Sequence, residues 1–303
     1  MSAQAIIEKE FGDQNPLDES LYRLDEEGLT FMKTQACFED EEELKKHVLA
    51  VQAEAYKIHP YPCIRSFGFL LCKIARLPAY EQLLALGKER KDPIFLDIGC
   101  CFGNDIRRAI QDGFPQGGAI GSDLYSEFWD MGHKLFRSTP KTFPVPFVPG
   151  DAFDPAFLEP TTPAPPSDPR PGLSTLTSLN PLRGHVSAIH ASSFFHLFDE
   201  EKQLELAKAL AGLLSPEPGS IILGAHGGGP EKGLRVETFG PNSHEIKMFC
   251  HSPESWKEMW DGQVFEKGTV KVEADLIEVK RTDLVDVPEE TKFYIQLWSV
   301  TRL

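Results

Sequence analysis

Apolar and polar positions change rhythm twice along the chain. Residues 1–38 carry many charges and almost no periodicity, which predicts an acidic, loosely ordered arm. From residue 39 to residue 92 the apolar positions recur at helical spacing. Leu44, Val48, Val51, Ala55 and Ile58 form one set, Ile64, Phe67, Leu71 and Ile74 a second, and Tyr80, Leu83 and Leu84 a third. The acids from Glu39 to Glu43 suit the positive end of the first helix, and His59-Pro60-Tyr61-Pro62 ends it. This stretch predicts a helical cap or lid.

After Pro93, short apolar runs alternate with helical patterns, the mark of parallel strands joined by crossover helices. Strands are expected at 94–98, 119–124, 147–150, 186–191 and 220–224. Helices are expected at 104–111, at 128–136 and behind Asp199, which can cap an amphipathic run through Leu214. Ser252 with Pro253 starts another helix. Residues 269–279 and 293–301 alternate apolar with polar, as a closing antiparallel pair does. The expected fold is α/β: a Rossmann-like, mostly parallel seven-stranded sheet over 93–303, behind the helical cap at 39–92. Eleven of the 24 prolines lie between Pro140 and Pro171, so residues 155–184 are expected to form an exposed insertion.

Composition narrows the function classes. The 303 residues carry 46 acids against 31 bases, a formal charge of -15. Nucleic-acid binders need a positive field to displace counterions, so nucleic acid is excluded as the default partner. Residues 1–43 hold 13 acids and 3 bases, and most of the excess therefore sits at one end. The longest uncharged apolar candidate, Val186 to Phe198, is too short to span a bilayer and holds two histidines. The first residues lack the basic start and apolar middle of a secretion signal, so a cytoplasmic protein is expected. Cys37, Cys63, Cys72, Cys100, Cys101 and Cys250 show no zinc spacing and read as reduced thiols, and no metal is expected.

The chemistry concentrates at the strand ends. Phe95-Leu96-Asp97-Ile98-Gly99-Cys100-Cys101-Phe102-Gly103 runs from a strand through a glycine turn into a helix, where backbone can approach a ligand closely. Asp123 ends the second strand and Asp151 the third, so three acids line one crevice at the carboxyl edge of the sheet. The spacing suits a nucleoside. Asp123 can accept the ribose hydroxyls, Asp151 the adenine amino group, and Ala152 can offer its N–H to a ring nitrogen, with Leu124 and Phe153 over the faces of the base. A nicotinamide enzyme would show G-x-G-x-x-G under a diphosphate, whereas Asp97 ahead of the first glycine repels negative charge and favours a sulfonium or ammonium. The cofactor indicated is S-adenosyl-L-methionine, leaving S-adenosyl-L-homocysteine as product. Cys101 stands where a middle glycine is usual and demands a negative φ or some strain.

Four stretches carry a family resemblance: Tyr61-Pro62-Cys63-Ile64-Arg65, Leu96 to Arg107, Glu127-Phe128-Trp129-Asp130-Met131-Gly132, and Ala191-Ser192-Ser193-Phe194-Phe195-His196-Leu197-Phe198. Over residues 40–303 the chain resembles a fungal family of S-adenosylmethionine-dependent methyltransferases of meroterpenoid and related secondary-metabolite pathways. The resemblance implies a class I methyltransferase fold and methyl-ester formation on a carboxyl group of a terpenoid, polyketide or meroterpenoid-like acceptor. It does not fix the acceptor.

Methyl transfer is an in-line displacement, so the protein has mainly to hold acceptor and methyl group aligned and dry. A carboxylate arrives ionised and needs no base; a phenol or alcohol needs one. His190 and His196, after the fourth strand, are the catalytic candidates, with His196 the better placed as base. His190 and Ala191 also face the cofactor. Tyr61, Arg65, Phe194, His244 and Trp256 are the acceptor candidates, Arg65 as a bidentate clamp on a carboxylate. His226-Gly227-Gly228-Gly229 reads as a loop after strand five. Phenol O-, N- or C-methylation and an inactive cofactor-binding scaffold are the alternatives, and the oligomeric state is left open.

Overall fold

The computed structural model describes residues 2–11, 15–237, 245–281, 284 and 290–303. Its N-terminal part corrects the first expectation. The described residues among the first 38 do not form a loose arm, because α1 (Ala3–Phe11) buries Ala3 and Ile7 and α2 (Glu26–Ala36) buries Phe31, Met32 and Ala36. Asp25 caps α2 through the Gly28 N–H. The acids that hid these helices stand on their solvent faces.

The cap continues as α3 (Glu41–Ile58), α4 (Pro62–Arg65) and α5 (Tyr80–Glu89). Asp40 caps α3, and Leu44, Val48, Val51 and Ala55 are all buried, as their spacing requires. The second expected helix is broken into α4 and two 3-10 turns. Phe67 takes a left-handed φ of 59°, and Asn104 binds the Phe69 carbonyl while Asp105 accepts the Ile74 N–H, pinning the segment to the sheet domain.

In the sheet domain β1 (Phe95–Ile98), α6 (Asn104–Gln111), β2 (Ala119–Asp123), α7 (Ser126–Leu135) and β3 (Phe147–Pro149) follow in turn. Next come β4 (Ala188–His190), α8 (Glu200–Leu213) and β5 (Ile221–Gly228), then β6 (Gly233–Glu237), β7 (Ile246–Cys250), α9 (Pro253–Trp260), β8 (Val270–Val279) and β9 (Phe293–Arg302). Among the described residues seven strands form one sheet in the order β3-β2-β1-β4-β5-β9-β8, parallel up to β5, with β9 antiparallel to β5 and β8. The direction of winding reverses between β1 and β4, which opens a crevice at their carboxyl ends.

Two further expectations are corrected here. β5 runs on to Gly228, so His226, Gly227 and Gly228 are strand and not loop. Glycine is needed at Gly224 and Gly228 because a Cβ on the first would stand 2.4 Å from the Ala191 carbonyl oxygen and one on the second 2.8 Å from the Gln296 Cβ. The proline-rich insertion is exposed along much of its length but not free of the core, for Phe157, Leu158, Leu173, Leu179 and Leu182 bury themselves in it. Two strands, β6 and β7, pair outside the main sheet and were not foreseen.

Candidate active site

A cavity of about 410 Å³ opens over the carboxyl ends of β1, β2 and β4, passes beneath the cap and reaches β6. Asp97, Gly99, Cys100, Cys101, Asp123 and Leu124 line its first end together with Ala152 and His190. Asp97 is 2% exposed and its Oδ1 lies 2.8 Å from His190 Nδ1. His190 Nε2 in turn lies 2.7 Å from Ser192 Oγ, which accepts the Ala225 N–H at 3.0 Å. Burial opposes the His190 imidazolium, but the charge and hydrogen bond of Asp97 outweigh it and hold the pKa above the ordinary value. The other carboxylate oxygen, Asp97 Oδ2, is buried with no hydrogen-bond partner among the described residues. A lone buried anionic acceptor on a cavity wall fits the ammonium of an amino-acid-bearing cofactor.

The glycine turn is strained as its cysteine suggested. Gly99 and Gly103 have φ of 70°, and Cys101 between them has φ of 50°. Its N–H donates to Asp123 Oδ2 at 2.8 Å, fixing the turn to the end of β2. Burial raises the Asp123 carboxyl to about 6, against the lowering effect of the Cys101, Tyr125 and Leu124 N–H groups. Asp151 accepts the Phe153 N–H at 2.9 Å through Oδ1 and the Ala3 N–H at 2.9 Å through Oδ2. Ala3 and Ile7 line the cavity, so α1 lies over the end where Ala152 stands, whereas Asp151, each of its oxygens holding a backbone N–H, is not part of the lining.

Several candidates stand elsewhere. Phe102 packs into the cap against Phe69, Gly103 supports the turn against Trp129, and Ala191 is buried behind β5. Phe153 turns its face to the Lys202 ammonium and its edge to Phe198, away from the cavity lining. Arg65 is not a clamp on the cavity, since its Nε donates to the Pro16 carbonyl at 2.9 Å. Trp256 is fully buried among Phe195, His226 and Trp298 and cannot touch an acceptor. His244 lies outside the described residues. Tyr61, Phe194 and His196 do line the cavity.

At the second end the lining turns basic. Lys73 Nζ donates to Ser193 Oγ at 2.9 Å, and Arg235 and Arg281 meet at Glu237, whose side chain is 0% exposed, at 2.7 and 3.0 Å. The reading from sequence missed Lys73, Arg235, Glu237 and Arg281. The signal was present in Leu234-Arg235-Val236-Glu237, a strand alternation with its charges inward: Leu234 is 69% and Val236 49% exposed. His196 sits among these cations. Its Nδ1 accepts the Gly227 N–H at 3.2 Å, and burial, with Arg235, Lys73 and Arg281, pushes its pKa down to about 3. His196 is therefore a neutral imidazole with its proton on Nε2, a donor and not a base.

A parallel sheet reversing between β1 and β4, an antiparallel β9 set between β5 and β8, and strand-end carboxylates over one cavity define a class I S-adenosylmethionine-dependent methyltransferase. Residues 17–70 match the model of the meroterpenoid methyltransferase N-terminal domain. The O-methyltransferase phiE of Fungal sp. (strain ATCC 74256) is 32% identical over 75% of this chain and 68% of its own length. The asnovolin E/chermesin D methyltransferase nvfJ of Aspergillus novofumigatus is 32% identical over 72% of this chain and 69% of its own. The methyltransferase ausD of Penicillium brasilianum is 29% identical over 91% and 92%. The chain belongs to this fungal family of S-adenosylmethionine-dependent methyltransferases of secondary metabolism. Its reaction is S-adenosylmethionine-dependent methyl transfer. Among the described residues no helix is long and apolar enough to cross a membrane.

Proposed function

We propose that this methyltransferase esterifies a carboxyl group on an apolar acceptor of the meroterpenoid kind. The observation that carries this reading is the state of His196. With Nδ1 occupied by the Gly227 N–H and the pKa near 3, it offers the acceptor an N–H and no lone pair. A phenol or alcohol at this place finds no histidine base, whereas a carboxylate is ionised already and needs only to be held.

When bound, the cofactor supplies an electrophilic methyl group on a sulfonium. The chain's residues do the rest. Asp97, Gly99 and Asp123 hold the donor by its ammonium, its close backbone approach and its ribose. Lys73, Arg235 and the His196 Nε2–H converge on the acceptor oxygens, while Phe194, Leu197, Met248 and Ile295 give its hydrocarbon body an apolar wall and exclude water. The positive field lowers the energy of the bound carboxylate and aligns one oxygen with the methyl group.

The test is transfer of labelled methyl from the cofactor to paired hydrophobic acids and phenols across pH 6 to 9. Acids are expected to be methylated at a rate flat from pH 7 to 9. Phenols methylated in preference, with a rate climbing in this range, would overturn the reading. A His196→Ala variant that loses all activity on acids, rather than about tenfold as one lost charge-assisted hydrogen bond implies, would do the same.

A further inference from the structure

Asp97 has two carboxylate oxygens in unlike surroundings. Oδ1 belongs to a chain of hydrogen bonds that crosses three strands: Ala225 N–H on β5 to Ser192 Oγ, Ser192 Oγ to His190 Nε2, and His190 Nδ1 to Asp97 Oδ1, at 3.0, 2.7 and 2.8 Å. Ser192 follows β4, His190 ends it and Asp97 lies on β1. The members are 8%, 2% and 2% exposed, so the chain is largely shielded from bulk water. Oδ2 has no partner among the described residues and belongs to a residue on the cavity wall.

We infer that Ser192 and His190 are positioning residues for methyl-donor binding, locking the Asp97 carboxylate in the one rotation that turns Oδ2 to the donor's α-amino group. A carboxylate held by a single fixed donor on one oxygen cannot spin about its terminal bond, and that bond is otherwise broad in its rotation. The direction of each hydrogen bond follows. Asp97 can only accept, so His190 Nδ1 carries a proton; Ser192 already accepts from the Ala225 backbone and sets the far nitrogen by its hydroxyl. Around the ring stand Asp97 on β1 and Asp105 on α6, which favour the imidazolium, and Lys73 from the cap, which opposes it. The same Ser192 leads into Ser193, whose hydroxyl accepts from Lys73, so donor and acceptor ends are joined through two adjacent serines.

Isothermal titration of the full chain with S-adenosylhomocysteine and with its analogue lacking the α-amino group tests this. The wild-type chain is expected to prefer the amino compound by about a hundredfold, the range for a hydrogen bond to a charged group in a buried site. His190→Ala is expected to cut that preference to about tenfold or less, Ser192→Ala to an intermediate value, and His190→Asn, which keeps an N–H near the Nδ1 position, to restore most of it. Loss of both ligands by the same factor in His190→Ala and Ser192→Ala would mean that the chain only supports the fold, and would overturn the inference. So would an unchanged preference in both variants.

Discussion

The two ends of the cavity carry opposite charge and come from different kinds of chain. At the donor end Asp97 and Asp123 stand on β1 and β2, neighbouring parallel strands of the wound part of the sheet, and Asp105 stands on α6, which follows β1. At the acceptor end Lys73 and Arg235 come from the cap and from β6, outside the main sheet. The donor is a cation and the proposed acceptor an anion, so one cavity with a reversed field orients both along the line of transfer. On the proposed reading the wound part of the sheet holds the cofactor, and the cap and β6 hold the acceptor.

The largest effect that can break this division is at Asp97. Asp97→Asn is expected to raise the dissociation constant of S-adenosylhomocysteine about a hundredfold, the loss of a hydrogen bond between charged groups. Calorimetry checks it, and a change below threefold would remove the acidic end from donor binding. Arg235→Met comes next. It is expected to lower kcat/KM for an acid acceptor by about thirtyfold while the cofactor dissociation constant moves less than twofold. Arg235→Met leaves Glu237 with Arg281, and a double variant with Glu237→Gln controls for a buried charge left poorly paired. Equal damage to cofactor and acceptor would show that the two ends are not separate.

The same division explains what the sequence could say. The strands, the crossover helices, the Ser252-Pro253 helix start and the acids Asp97 and Asp123 are written in local rhythm, because parallel strands must be apolar and turns must be small. Arg235 and Glu237 were hidden because β6 is inside out, with Leu234 and Val236 toward solvent, and a strand of such alternation is ordinarily read with its charges outward. Arg65 misled for a related reason: it lies on a helix of four residues, whose facing depends on what Pro16 and the N-terminal residues do. The first helices were lost in their own acidity. Their buried residues, Ile7, Phe31 and Met32, are too few to stand out among the charges, and only packing on the rest of the chain reveals them.

A difference in pH response sharpens the comparison. Asp123 titrates at about 6 in the ligand-free chain, and only its carboxylate can accept both ribose hydroxyls. Cofactor affinity is therefore expected to be flat above pH 7 and to fall toward tenfold per unit below 6. The sign for stability is opposite. A carboxyl raised from 3.8 to about 6 by folding favours the ligand-free fold as pH falls through 6 toward 3.8, so this group's contribution to the melting temperature rises as affinity declines. His196, neutral in the fold down to about 3, adds no inflection to affinity above pH 5, but because an unfolded histidine protonates near 6.5 its contribution to stability falls as pH drops below 6.5. Titrations at pH 5, 6, 7 and 8 check the pattern, and affinity that stays constant down to pH 5 would take Asp123 out of ribose binding.

The smallest effect concerns a device that both ends share. Cys101 at the donor turn and Ser193 at the acceptor turn have φ of 50° and 53°, a left-handed conformation that costs a residue with a Cβ about 1 kcal/mol. Each is held by its own N–H: Cys101 on the Asp123 carboxylate at 2.8 Å, Ser193 on the Ala225 carbonyl at 2.7 Å. Replacing either by alanine removes its side-chain heteroatom and keeps the strain, while glycine removes both. Ser193→Gly is thus expected to be more stable than Ser193→Ala by about 1 kcal/mol in urea unfolding, with the same gap between Cys101→Gly and Cys101→Ala. Equal gaps would mean that one backbone arrangement, imposed twice, aims a hydrogen-bonding edge at each substrate. A gap at Cys101 alone would mean that Ser193 is held by Lys73 and relaxes once its hydroxyl is gone, which would make the acceptor turn adaptable where the donor turn is fixed.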